Sequence, residues 1–223
     1  MDVSPESELL ASADDRAMVE APTTGRDDVE LAAFVQICNF ADSGLHAQIL
    51  DLALRNHAAF SASGVVTNDK DYRRSRVLFD LEACGPRMSA ELRKILPWVY
   101  QRLGITPSAE GRLEMQMTAH NDGDYFRLHN DNGSPDTADR VLSYVYYCNL
   151  PPKRFSGGAL RLYDSRVENG YWVGADTFHM VEPIDNSIVF FLSRLVHEVM
   201  PIQCASRSFV DSRFTVNGWV RGI

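Results

Sequence analysis

Two histidines and one aspartate carry the strongest chemical signal in the chain. His129 is followed two positions later by Asp131 in FRLHNDNG, between a strand pattern and a turn. His197 opens a later apolar segment, SRLVHEVMP, 68 residues further on. On a strand the side chains at i and i+2 share one face, so an imidazole and a carboxylate placed there can reach the same ion. The intervening residues leave room for several strands to bring His197 alongside. Two imidazoles and a carboxylate suit one face of an octahedral Fe(II), leaving the three opposite positions open to other ligands. Taken alone, a His-x-Asp pair also fits a surface histidine beside a solvated aspartate, so the surrounding sequence has to decide.

The elements that must position these residues follow from periodicity and turn chemistry. From about Gly111 onward, short runs rich in aromatic and β-branched residues recur at 113–119, 141–148, 159–163, 187–192, 196–202 and 214–220. They are separated by NDGD, DNGSPD, PPKRFSGG and EPIDNS, the Gly/Pro/Asn/Asp signature of turns. Upstream, residues 30–39 read as a short strand. Asp42 or Ser43 then caps a helix with Leu45, Ile49, Leu52 and Leu54 at helical spacing. A second helix runs from about Met88 to Leu103, with Pro97 predicting a kink or restart. Helices followed by a run of antiparallel strands predict an α+β, mainly β chain, a double-stranded β-helix of the jelly-roll, cupin-like kind with N-terminal support helices.

The net charge of −8 over 223 residues is unevenly placed. Residues 1–30 hold nine acids and two bases, while the remaining 193 residues hold 20 bases and 21 acids. The domain expectation is therefore an acidic, disordered tail over 1–28 and one nearly neutral catalytic domain over 29–223. No run reaches the roughly 18 apolar residues of a membrane span, and the N-terminus lacks a signal-peptide pattern, so the expected setting is cytoplasmic. Cys38, Cys84, Cys148 and Cys204 form no CxxC pair and read as reduced thiols. KDYRRSR, Lys70 to Arg76, concentrates basic residues and reads either as a loop for an anionic or polar partner or as a solvated loop. His46 and His57 fall in a helical pattern, and His179 in a polar turn.

Taken in order, HxD, YVYYCN, GGALRLY, VFFLSRLVHEV and RFTVNGW resemble the core of the prolyl 4-hydroxylase-like branch of the iron(II)- and 2-oxoglutarate-dependent oxygenases, over roughly Arg112 to Trp219. The resemblance implies Fe(II) held by His129, Asp131 and His197, with 2-oxoglutarate as cosubstrate, O2, and ascorbate as a further candidate. It implies Arg213 and Tyr147 as the grip on the far carboxylate of 2-oxoglutarate. Arg213 is preferred to Arg207 because RFTVNGW keeps an Arg with Trp219 six positions on. Leu160 and Val199 match apolar wall positions, and Arg140 matches a substrate-contacting one. Many relatives have a tyrosine nine positions before the first iron ligand, where this chain has His120. About seven additional residues before Arg213 imply a longer loop at the barrel mouth, where specificity tends to reside.

The implied activity is hydroxylation of an unactivated C–H bond, with succinate and carbon dioxide as co-products. The expected substrate is a prolyl or other residue in a peptide or protein, and the same chemistry on a small metabolite or amino acid is an alternative. An AlkB-type nucleic-acid demethylase is a third reading, suggested by the Arg207-x5-Arg213 pair. SFVDS between those arginines and the missing basic excess count against nucleic acid. A non-catalytic jelly-roll binding module is the remaining alternative. No membrane partner is expected, and the sequence leaves the oligomeric state open.

Overall fold

The computed structural model describes residues 17–20, 29–63, 72–107 and 109–222. In chain order the strands are β1 (Ala17–Glu20), β2 (Phe34–Cys38), β3 (Ser61–Ala62), β4 (Arg73–Arg74), β5 (Arg76–Leu78), β6 (Arg112–His120), β7 (Tyr125–His129), β8 (Arg140–Cys148), β9 (Ser156–Gly157), β10 (Leu160–Glu168), β11 (Tyr171–Val181), β12 (Ser187–Leu192), β13 (His197–Val199), β14 (Ile202–Gln203) and β15 (Arg213–Arg221). Among the described residues the α-helices are α1 (Ser43–Arg55) and α2 (Gly85–Arg102). An eight-stranded sheet runs β1-β2-β12-β8-β15-β6-β5-β3, and a five-stranded sheet runs β11-β10-β13-β7-β4. The described pairings are antiparallel, which gives the mainly β jelly roll expected from the sequence.

Alternation along the long strands divides the large sheet into two chemically different faces. On β8, Leu142, Tyr144, Tyr146 and Cys148 join Phe214, Val216 and Val220 of β15 in a core closed by the helices. Helix α1 supplies Leu45, Ile49 and Ala53 to that core, and α2 supplies Met88, Leu92 and Val99. The opposite face carries Ser143, Val145 and Tyr147 of β8 with Arg213, Thr215 and Asn217 of β15, and it looks toward the five-stranded sheet. The expected cap is present, with Asp42 Oδ1 accepting from Leu45 N at 2.8 Å. Helix α2 passes through Pro97 as one element. Burial of Ile95, Leu96, Trp98 and Val99 around the proline holds the two halves together despite the missing backbone donor.

Four sequence readings are corrected. Ala17–Glu20, inside the expected disordered tail, pairs with β2 in register Ala17↔Ile37 to Glu20↔Phe34, because the β2 edge offers open main-chain groups. The rest of 1–28 lies outside the described residues. Strand β11 does not stand out as a run in the sequence, since its polar and small residues GADT interrupt the apolar alternation, yet it pairs along nearly its whole length with β10. His179 therefore sits on a strand opposite Leu162, its ring 5.9 Å from Phe34, and not in a turn. The run expected over 196–202 divides into β13 and β14, which belong to different sheets.

Gly218 marks a close approach between neighbouring strands of the large sheet. A Cβ there would overlap the Tyr144 hydroxyl, which crosses the glycine to donate to the Glu114 carbonyl at 2.8 Å. Gly218→Ala is expected to cost about 1–3 kcal/mol by overpacking, measured by urea unfolding. A loss smaller than about 0.5 kcal/mol would show that the strands have slack there.

Candidate active site

Register brings the three expected metal ligands together. His197 of β13 lies directly opposite His129 at the end of β7. Asp131 lies just past that strand, so its approach does not come from the i, i+2 alternation expected for it. The turn itself is fixed, because Asp131 N donates to the Ser193 carbonyl at 2.9 Å. His129 Nε2 is 3.7 Å from Asp131 Oδ1, and His197 Nε2 is 3.5 Å from Asp131 Oδ2. Ligand atoms from the three residues all lie within 4.8 Å of one another.

Each ring is aimed by its second nitrogen. His129 Nδ1 donates to the Arg127 carbonyl at 2.7 Å and His197 Nδ1 to the Leu195 carbonyl at 2.9 Å, which leaves both Nε2 lone pairs facing the site. Phe126 stacks on His129 with centroids 3.6 Å apart, and Phe191 meets His197 edge-on at 4.8 Å. Burial, reinforced by His197, pushes His129 well below the ordinary imidazole value, so it stays neutral and able to ligate. Burial works to raise the Asp131 carboxyl, but the two imidazoles, the Ser143 hydroxyl at 2.6 Å and the Trp219 indole together hold it below the usual carboxylate range. Two imidazoles with Nε2 turned to the site and an ionised carboxylate fit a divalent transition metal such as Fe(II).

A second cluster lies deeper between the sheets. Strand β15 is flanked by β6 and β8, with Arg213 opposite His120, and Thr215 opposite both Thr118 and Tyr147. Arg213 is only 2% exposed, and its guanidinium lies 4.9 Å from the centre of the Tyr147 ring. Among the described residues no carboxylate pairs with it. Arg213 Nη1 can only donate, so His120 Nδ1 at 3.4 Å is the acceptor and the imidazole proton sits on Nε2. Burial, with the charge of Arg213, holds His120 well below the ordinary value and therefore neutral. His120 Nε2, Tyr147 Oη, Arg213 Nε and Thr215 Oγ1 are all buried without a hydrogen-bond partner. Four orphaned polar atoms around an uncompensated cation fit the carboxylate of a bound acid.

Glycine makes the approach possible. Gly158 has φ +71°, and a Cβ there would sit 2.7 Å from Arg213 Cδ. The GG of GGALRLY thus reads as clearance for the buried arginine. Leu160, Val145 and Val199 line the same cavity, about 910 Å³ in volume, which joins the two clusters.

Arg207 is placed elsewhere. It is 80% exposed at its side chain and pairs with Asp122 at 3.0 Å on the outer surface. Arg140 lies on the cavity wall, but Glu114 takes its charge at 3.1 Å and its guanidinium stacks 3.6 Å over Trp219. Thr215 was not singled out in the sequence, although alternation from Arg213 places it on the same face. Ser143, two positions before Val145, was missed in the same way. Arg73, inside the basic segment 70–76, also reaches the cavity. Residues 70 and 71 of that segment lie outside the described residues.

Comparisons with known proteins agree with this geometry. Residues 115–221 match the model of the 2OG-Fe(II) oxygenase superfamily. The chain is 42% identical over 188 residues, 83% of its length, to an uncharacterized PKHD-type hydroxylase of Synechocystis sp.. It spans 62% of the length of that curated relative. A prolyl-4-hydroxylase of Pseudomonas putida has a similar structure, with TM-score 0.60 and 23% identity over 85% of this chain and 92% of that one. So does a Trichoplax adhaerens prolyl hydroxylase solved with a hypoxia inducible factor peptide fragment, at TM-score 0.57 and 20% identity over 84% and 83% of the two chains.

Keeping Arg213 buried and unpaired costs stability until an anion arrives. Arg213→Met is therefore expected to leave the thermal midpoint of the ligand-free protein unchanged or raised, while diminishing the further rise that 2-oxoglutarate gives the Mn(II)-loaded parent chain. A midpoint lowered by several degrees in the variant would mean that Arg213 has a structural partner.

Proposed function

The chain belongs to the 2OG-Fe(II) oxygenase superfamily, and from that premise we propose that it hydroxylates an unactivated C–H bond of a prolyl or other residue in a peptide or protein. Succinate and carbon dioxide are the co-products. The observation that carries this reading is the pairing, in one cavity, of the His129, Asp131 and His197 donor set with a buried cation surrounded by unsatisfied donors.

His129 Nε2, Asp131 and His197 Nε2 would hold Fe(II). Bound there with 2-oxoglutarate and O2, the iron supplies the oxidation that places one oxygen atom on the substrate carbon. The protein's part is positioning. Arg213 presents a guanidinium that keeps its charge and meets a carboxylate with a fixed fork of donors. Tyr147, whose hydroxyl burial keeps protonated, adds an O–H donor, and Thr215 and the Nε2 proton of His120 add two more. His120 thus does the work of the tyrosine common at that position. Leu160, Val145 and Val199 close an apolar wall along the cosubstrate and keep water from the reacting face. Ser143 and the Ser193 carbonyl fix Asp131 so that it stays a ligand and is not displaced as a base.

A peptide substrate is supported by the open cavity and by the related Trichoplax enzyme, which was solved with a peptide. Arg140 we assign to positioning: it ties Trp219 and the Asp131 carbonyl to Glu114 rather than offering its charge to a ligand. The cysteines are free, which suits a reducing, cytoplasmic setting.

Succinate release during a screen of proline-containing peptides, free amino acids and small carboxylic acids is the direct test. His129→Ala and Asp131→Ala are expected to abolish both metal binding and turnover, and turnover at the parent rate in either variant would exclude the assigned ligands. Arg213→Leu is expected to raise the 2-oxoglutarate requirement roughly 10- to 150-fold, from the loss of about 1.5–3 kcal/mol of charged hydrogen bonding. Arg207→Leu is the matched control, and an effect of that size there would reverse the choice of arginine.

A further inference from the structure

The cavity holds a second cation that the proposed reaction leaves unused. Arg73, on β4, pairs in register with Phe126 of β7, three residues before His129. Its guanidinium carbon lies 4.6 Å from the centre of the Phe126 ring, and Phe126 in turn is stacked on His129. Guanidinium, phenyl and imidazole therefore form one column leading from the cavity wall to the metal ligand. Arg73 Nε is tied down by donating to Ser75 Oγ at 2.9 Å, and Ser75 donates onward to Ser63 at 3.0 Å. The fork is held in place with Nη1 and Nη2 left over. Among the described residues no carboxylate lies within ion-pair distance of it.

Charge accounting says what those two groups lack. Of the acids nearby, Asp124 is taken by Arg74 at 3.3 Å, and Asp131 is committed to the metal. Arg140 is held by Glu114, a carboxylate it shares with Arg112 and Arg221, and Arg213 is the partner of the cosubstrate's far carboxylate. A divalent metal, one carboxylate ligand, a dianionic cosubstrate and Arg213 together sum to no net charge. Arg73 then remains without a carboxylate of its own among the described residues, drawn down by burial to a pKa of about 10 but still protonated at neutral pH, and it lines the space left for the substrate. An immobilised, partly desolvated guanidinium selects a carboxylate that can meet it bidentately.

We propose that Arg73 is a specificity-determining residue that binds a carboxylate on the substrate, placed beside the carbon to be hydroxylated. This rests on the hydroxylase reading above and names the substrate class for it: a peptide with an acidic residue next to the target, or its C-terminal carboxylate. Such a pair fixes the target relative to the metal through the Arg73–Phe126–His129 column. Arg73 thus governs which substrate binds, while Arg213 governs the cosubstrate.

The test uses the full chain loaded with Mn(II) and 2-oxoglutarate, which allows binding without turnover. Labelled peptides are compared by fluorescence anisotropy in matched sets: Pro flanked by Asp or Glu, by Asn or Gln, and by Lys, with free small carboxylic acids as competitors. The parent chain is expected to bind acidic peptides at least about tenfold more tightly than their amide isosteres. Arg73→Gln should remove that preference and Arg73→Glu should reverse it toward the Lys set. Both variants should keep their 2-oxoglutarate affinity, read by tryptophan quenching, and their thermal midpoint. Arg73→Lys should restore part of the preference, since it keeps the charge but not the fork.

Equal binding of acidic and amide sets, or binding of neither with no displacement by a small acid, overturns the proposal. So does a variant that weakens 2-oxoglutarate as much as peptide, which would make Arg73 part of the cosubstrate site. Hydroxylation of peptides with no charge preference sinks this inference and leaves the hydroxylase reading standing. Capture of small carboxylic acids alone, in an Arg73-dependent way, upholds the anion site and removes the peptide reading.

Discussion

A guanidinium enclosed between two sheets with no carboxylate beside it is the constraint on which the rest of the molecule depends. Removing a charge from water is expensive, and the cost is tolerated only when something else returns it. Around Arg213 the structure supplies an aromatic face, a histidine acceptor and a glycine with positive φ that opens the necessary space. Among the described residues it supplies no anion. Beside it, Tyr147, Thr215 and His120 carry buried polar atoms with no hydrogen-bond partner among the described residues. Such a pocket fits a ligand acid, and this sets the site apart from an ordinary jelly-roll core.

The barrel makes that arrangement affordable by separating its two faces. One face of β6, β8 and β15 packs on α1 and α2 in an apolar core whose residues are almost all fully buried. This leaves the other face free to carry chemistry. Neighbouring tyrosines show the division: Tyr146 hydrogen-bonds His46 at 2.7 Å on the helix side, while Tyr147 lies on the other face with its ring against the Arg213 guanidinium. The candidate metal ligands depend on the five-stranded sheet instead, through the His197↔His129 register. The cavity is thus assembled from both sheets, and shifting either register by one residue would turn its functional side chains outward.

Much of this was legible in the sequence because alternation is a strong rule and the motifs occur in strand order. Placing Tyr147 with Val145, and Tyr146 away from them, followed from the two-residue period alone. The strand bounds of 187–192 matched as well, since that run is buried on both faces and reads as continuous apolar sequence. What was missed is what the period does not encode. Strand β11 is half exposed and broken by Gly174 and polar residues, so its amphipathic signal is weak. Asp131 acts from a turn held by a main-chain bond to Ser193, a contact across 62 positions that no local pattern announces. Arg73 and Arg140 are both plausible anion contacts on residue type. Only the positions of Glu114 and of the Phe126 ring show that one charge is spent and the other is free.

The central claim is that Arg213 and the orphaned donors around it hold the far carboxylate of a cosubstrate whose other end reaches the metal. A crystal structure of the full chain grown without oxygen in Mn(II) and 2-oxoglutarate tests it most directly. The metal is expected between His129 Nε2, Asp131 and His197 Nε2, with the distal carboxylate within hydrogen-bonding distance of Arg213 and Tyr147. A carboxylate paired instead with Arg73 or Arg207, or a metal bound away from those three ligands, would contradict it.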